Sequence, residues 1–176
     1  MTPLLKYTLR AILLLFLQYL LSTRLPLGGL ITPYIYFVFV LWLPFTISRI
    51  QLLFVAAIYG LAMGYLVFAP GIHAAVCVLI AYLRPFVIQL LLPREVKDMN
   101  YTEPSIKSMG FAPYSTYIVI LTVIHFSYLI LLQLLSAGNL WYFIQKLLYS
   151  TIVSLVLIVI TDTLLGRKSK TRASLN

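Results

Sequence analysis

The chain has 176 residues, 62% of them hydrophobic and 10% charged, with a mean hydropathy of +1.01. Soluble domains carry about 25% charged residues, and a domain of this size leaves much of its surface exposed, so a water-soluble fold is excluded. The formal charge of +9 would point to nucleic acid in a soluble protein. Here the lysines and arginines fall mainly in short segments between apolar runs, the arrangement that orients a chain in a lipid bilayer, and nucleic acid is not an expected partner.

The first apolar run, Leu9 to Leu21, follows Lys6 and Arg10. A basic flank before an apolar run also opens a signal peptide, but no small-residue cleavage site follows, and an uncleaved helix from about Pro3 to Ser22 is expected. Gly28-Gly29 marks a turn. The second run, Ile31 to Ile47, lies around Pro33 and Pro44 and is dense in aromatics: Tyr34, Tyr36, Phe37, Phe39, Trp42 and Phe45. Between its prolines it is short of the ~20 residues a helical span needs, yet it reads as the second span, with Tyr34 and Trp42 at the two interfaces. The third run, Ile50 to Phe68, carries Ala56, Gly60 and Gly64 at i, i+4 spacing. Such a stripe lets another helix approach closely, within the chain or from a partner.

The fourth run, Gly71 to Leu92, opens with Pro70-Gly71-Ile72-His73 and is long enough to cross at about 33 Å. His73, Cys77, Ile80 and Arg84 share one helix face. An arginine inside an apolar run costs about 2.5–3.5 kcal/mol on insertion scales, so a partner is expected. Asp162 is the only acid in any apolar run, and an Arg84–Asp162 pair is the expectation, against an arginine that reaches alone toward the interface or binds helix carbonyls freed by Pro85. His73, in the first turn after Pro70, reads as an interfacial or capping histidine. A polar loop, Pro93 to Ala112, holds Glu95, Asp98 and Glu103 with Arg94, Lys97 and Lys107.

The fifth run, Pro113 to Leu135, carries His125 midway, expected to make an interhelical hydrogen bond. After the turn Ser136-Ala137-Gly138-Asn139, the sixth run, Leu140 to Leu165, begins with Trp141-Tyr142 and holds Lys146 and Asp162. The organisation expected is one six-transmembrane-helix bundle over residues 1–166 and a disordered basic tail over 167–176. Lys6, Arg10, Arg49, Arg94, Lys97, Lys107 and the tail's four cations fall on one side, against Arg24 on the other, so both termini are expected in the cytoplasm.

With two histidines, one cysteine and four acids, the chain offers no phosphate-binding glycine loop, no Ser-His-Asp set, no paired intramembrane carboxylates and no metal-ligand spacing. No catalytic, cofactor-binding or metal residues are assigned, and an enzyme is not expected.

Thr32-Pro33-Tyr34-Ile35-Tyr36, Pro70-Gly71-Ile72-His73-Ala74-Ala75, Leu83-Arg84-Pro85-Phe86 and Pro104-Ser105-Ile106-Lys107-Ser108-Met109-Gly110-Phe111 follow one another in order. Together, over roughly Leu20 to Leu165, they resemble the rod shape-determining protein family MreD in its compact form. The resemblance implies a non-catalytic bacterial inner-membrane subunit of the cell-elongation machinery. Its implied partners are MreC and, directly or indirectly, RodA, a class B penicillin-binding transpeptidase and MreB. The residues carrying it are Pro70, Gly71, His73, Arg84, Pro85, Pro104, Ser105, Gly110 and Phe111. Many family members carry an acid late in the third helix, and Met63-Gly64-Tyr65-Leu66 has none. MreD-like chains are similar in layout to the substrate-binding S subunits of energy-coupling-factor vitamin transporters, the alternative reading. Those dock through an Ala-x-x-x-Ala stripe on the first helix, which the leucine-rich Ala11-Ile12-Leu13-Leu14-Leu15-Phe16 lacks. A scaffold would present the Ala56/Gly60/Gly64 stripe, or an aromatic face of the second run, to its partner.

Overall fold

Prolines and side-chain caps set where the helices begin. Pro70 starts one helix at a position where a missing N–H costs nothing. Ser48 and Gln51 form a reciprocal capping box at the head of another. The Asn139 side chain accepts from the amides of Trp141 and Tyr142. The computed structural model describes residues 3–24, 29–92, 102–134 and 139–165. These form α1 (Pro3–Arg24), α2 (Val38–Leu41), α3 (Arg49–Leu66), α4 (Pro70–Leu91), α5 (Ile106–Met109), α6 (Phe111–Leu134) and α7 (Leu140–Leu164), with no strand among them. The tail from 166, the turn at 135–138 and loop residues 93–101, with Arg94, Glu95, Lys97 and Asp98, lie outside the described residues.

Five helices (α1, α3, α4, α6 and α7) are long and apolar enough to cross a membrane. The second run is not one of them. It contributes only the four residues of α2, within a largely non-helical stretch from Gly29 to Ser48. Pro33 and Pro44 account for this in part, since neither can donate to a helix and each disfavours helix in the residue before it.

That stretch runs the length of the bundle. At one end the Tyr142 hydroxyl donates to the Gly29 carbonyl, and at the other the Phe45 amide donates to the Thr102 carbonyl. The start of α1 lies at this second end, where Lys6 and Arg10 meet Glu103. Every residue from Ile35 to Leu43 is at most 5% exposed, so the non-helical stretch is the core on which the helices pack. Trp42, expected at an interface, is among the most buried side chains.

Helices α3 and α4 form the tightest pair, joined by a turn in which Phe68 adopts φ 58° and is almost wholly exposed. A Cβ on Gly60 would sit 2.6 Å from the His73 carbonyl oxygen, and one on Gly64 would sit 2.2 Å from Pro70 Cα. The small-residue stripe is therefore consumed by α4 and is not open to a partner. Helix α6 packs on α4, and α7 on α6, while α1 touches the bundle only along a narrow strip.

Candidate functional site

Unpaired amides and carbonyls in a dry interior each cost free energy, so a non-helical core needs partners from elsewhere. Helix side chains supply them here. The Gln18 side chain accepts from the amides of Ile35 (2.7 Å) and Tyr36 (3.3 Å) and donates to the Pro33 carbonyl (3.1 Å). Ser150 and Ser154, one turn apart on α7, accept from the amides of Thr32 and Tyr34, both at 3.0 Å. The Tyr117 hydroxyl donates to the Leu41 carbonyl at 2.9 Å. None of these four residues stood out from sequence. The available signal was polar side chains inside apolar runs, two of them at i, i+4.

Toward the Tyr142 end, the hydroxyl of Tyr36 lies between two histidines, 2.9 Å from His73 Nδ1 and 3.1 Å from His125 Nε2. His73 is 1% exposed and His125 is fully buried, its ring stacked on Phe37 at 3.9 Å. His73 is thus an interior residue, not the interfacial cap expected, because its helix face turns inward onto the aromatic stretch. His125 does hydrogen-bond between elements, but to the non-helical stretch and not to another long helix. Its Nδ1 and the Tyr59 hydroxyl are buried without hydrogen-bond partners.

Arg84 lies farther along the same α4 face, toward the Glu103 end, and is 2% exposed. Its Nε donates to the Tyr117 hydroxyl at 3.1 Å and its Nη2 to the Leu43 carbonyl. The expected pair with Asp162 is replaced by these bonds, and the side chain does not reach outward. The unwound backbone of the second run, invisible to helix-based reading, supplies the acceptor. Trp42 Nε1 donates to the Tyr114 hydroxyl at 3.3 Å beside it. Asp162 instead lines a groove between α6 and α7.

At the same end Glu103 is 2% exposed and accepts from Lys6, from the Tyr7 hydroxyl at 2.8 Å and from Arg10 at 2.9 Å. Burial alone would raise its pKa. The bonds from Lys6 and Arg10, the Arg10 charge and the Tyr7 bond outweigh burial and hold the carboxyl below its ordinary range. This ties α1 to the segment before α5, a link that counting charges did not reveal. In the same segment Ser105 caps α5 right after Pro104, and Gly110 takes φ 87° so that α6 can begin at the exposed Phe111. Gly71 faces open space, and Pro85 lies inside α4.

The α6–α7 groove measures about 220 Å³, and its walls are apolar apart from Asp162, Ser115, Thr163 and the Tyr114 hydroxyl. Among the described residues no group of three His, Cys, Asp or Glu side chains could hold a metal ion. The polar side chains of the interior are spent mainly on backbone and on one another, an arrangement suited to fixing a shape. No protein-family model, curated protein or solved structure matches the chain.

Proposed function

We propose that this chain is a non-catalytic, multi-pass scaffold of the bacterial inner membrane, of the MreD kind. In this reading it binds MreC and helps couple it to RodA, the class B transpeptidase and MreB, so that peptidoglycan insertion keeps the cell a rod. The non-helical stretch counts as the second of six passages, and the Glu103 end, with both termini, faces the cytoplasm. Non-helical backbone at membrane depth is tolerated where protein surrounds it, which fits this assignment.

One observation carries the reading beyond the sequence resemblance: the centre of the bundle is filled by residues 35–43. A vitamin-binding S subunit needs a polar pocket open to the outside, and ligand pockets measure about 300–1,000 Å³. The groove described above is smaller, mostly apolar, and at the opposite end from an outside-facing pocket.

Co-expression with MreC of the same source and affinity purification in mild detergent tests the proposal. MreC should co-elute through washes, and thiamine, riboflavin or biotin should leave the melting temperature unchanged. Loss of MreC together with stabilisation by one of those vitamins would reverse the assignment.

A further inference from the structure

Helix α7 lays one stripe of side chains along the non-helical stretch: Tyr142, Lys146, Ser150 and Ser154, recurring every fourth residue. Three of them find a partner there. Tyr142 donates to the Gly29 carbonyl, and Ser150 and Ser154 accept from the amides of Thr32 and Tyr34. Lys146 stands between them, half-buried, with no hydrogen bond or ion pair among the described residues. Its Nζ lies over the Tyr142 ring, 5.8 Å from the centre.

On the other flank of the stretch α1 ends at Arg24, exposed and likewise without a hydrogen bond or ion pair among the described residues. The two cations reach nearly one level. Gln18 on α1 and Ser154 on α7 hold the adjoining amides of Ile35 and Tyr34. From there Arg24 lies six residues onward along α1 and Lys146 eight residues back along α7, about 9 and 12 Å toward the Tyr142 end. Helices α1 and α7 form no extensive contact, so the two side chains flank the start of the stretch.

We infer that Arg24 and Lys146 bind the phosphate of an anionic phospholipid in the leaflet at this end, the outer one in the orientation proposed above. Only the choice of leaflet rests on that reading. Charge argues for the site. Among the described residues this end holds no acid, since Glu103 lies at the other end between Lys6 and Arg10, and Asp162 lies near the far end of α7. Cations are disfavoured on the outer side of a membrane protein, and one drawn into an apolar helix is costly until an anion or water meets it. Lys146 is the seventh residue of α7, well past its first turn. Arginine gives a phosphate two parallel N–H bonds and lysine adds a mobile point charge. The surroundings favour a lipid over a free anion. Toward the bilayer centre α1 exposes Phe16, and α7 exposes Leu148 and Ile152, surfaces on which acyl chains can lie.

The test uses the purified full chain in mild detergent, without MreC. Native mass spectrometry measures retained dioleoyl-phosphatidylglycerol against dioleoyl-phosphatidylcholine, with inorganic phosphate as a third probe. The unmodified chain should retain phosphatidylglycerol in preference. Lys146→Gln and Arg24→Gln should each weaken that retention about fivefold or more, the order expected for one charge-assisted bond. Lys146→Arg should keep it, and Lys107→Gln, which removes a cation from the other end, should leave it unchanged. Melting temperatures without added lipid check that each variant folds. Equal retention of the two lipids, undiminished retention by both Gln variants, or a loss matched by Lys107→Gln overturns the site. Displacement of the lipid by an equal concentration of inorganic phosphate overturns the lipid as its ligand. Failure of MreC to co-elute in the earlier experiment overturns the scaffold reading and leaves this site standing.

Discussion

The side-chain oxygen of Gln18 takes the amide proton of Ile35 at 2.7 Å, joining α1 to the stretch at the centre of the bundle. The same side chain also bonds the Tyr36 amide and the Pro33 carbonyl. Gln18→Leu strands all three groups in a dry interior, and each stranded group costs about 1–3 kcal/mol. Ser154→Ala strands only the Tyr34 amide. Thermal unfolding in detergent should therefore rank Gln18→Leu well below Ser154→Ala, with the exposed Ile12→Ala near the unmodified chain. Equal losses for the first two would show that Gln18 does not hold the stretch.

Gly60 and Gly71 should respond in opposite senses to alanine. A methyl at 60 collides with the α4 backbone, whereas a methyl at 71 meets nothing within 4 Å. Gly60→Ala should cost about 1–3 kcal/mol or more. Gly71→Ala, in the first turn of α4, should be neutral or gain up to about 1 kcal/mol. Melting temperatures of the two purified variants decide the matter.

Glu103 makes stability depend on pH. Its folded pKa lies below the ordinary 4.5, so the stabilisation is fully present above about pH 4.5 and is lost as pH falls through the folded value. Glu103→Gln should remove about 1–3 kcal/mol at neutral pH. It should also flatten the fall in melting temperature below pH 4.5. Parallel curves for the two proteins would assign that fall to other groups.

Tyr36 has one hydroxyl proton to give and two histidine nitrogens beside it. Because His125 Nδ1 is buried without a partner, a proton there would be an orphaned donor, which is rarer than an orphaned acceptor. His125 therefore carries its proton on Nε2 and donates to Tyr36, and Tyr36 donates to His73 Nδ1. Nitrogen NMR of histidine-labelled protein should show both rings as neutral Nε2–H tautomers. A signal from Nδ1–H on His125 would reverse the direction of the relay. Tyr36→Phe should shift both rings at once.

The long helices were legible because their signals are local. Apolar length and Pro70 at a helix start both lie within a short window. The stripe at Ala56, Gly60 and Gly64 announced a close helix contact, and α4 makes it. The second run departs from the expected helix for a physical reason: hydropathy measures the cost of moving side chains into lipid and says nothing of backbone conformation. What allows residues 29–48 to leave the helix is a set of side chains far away in sequence. Gln18 is 17 residues from Ile35, and Ser150 is 118 from Thr32. Arg84 was rightly read as needing a partner. The choice of Asp162 assumed that a charge seeks a charge, whereas the unwound chain offered a carbonyl at Leu43.

If the second run crosses the bilayer as proposed, its dependence on α7 constrains how the protein is made. Thr32 and Tyr34 leave the ribosome more than a hundred residues before the serines that will receive their amide protons. A helix can enter the bilayer with its hydrogen bonds already closed, but this stretch in its final conformation cannot. Until synthesis reaches α7 it must stay in a sheltered, partly wet site, at the insertion channel or in a provisional helix that later unwinds. A nascent chain halted after α6 should therefore remain a client of the insertion machinery, with the final packing step awaiting the last helix.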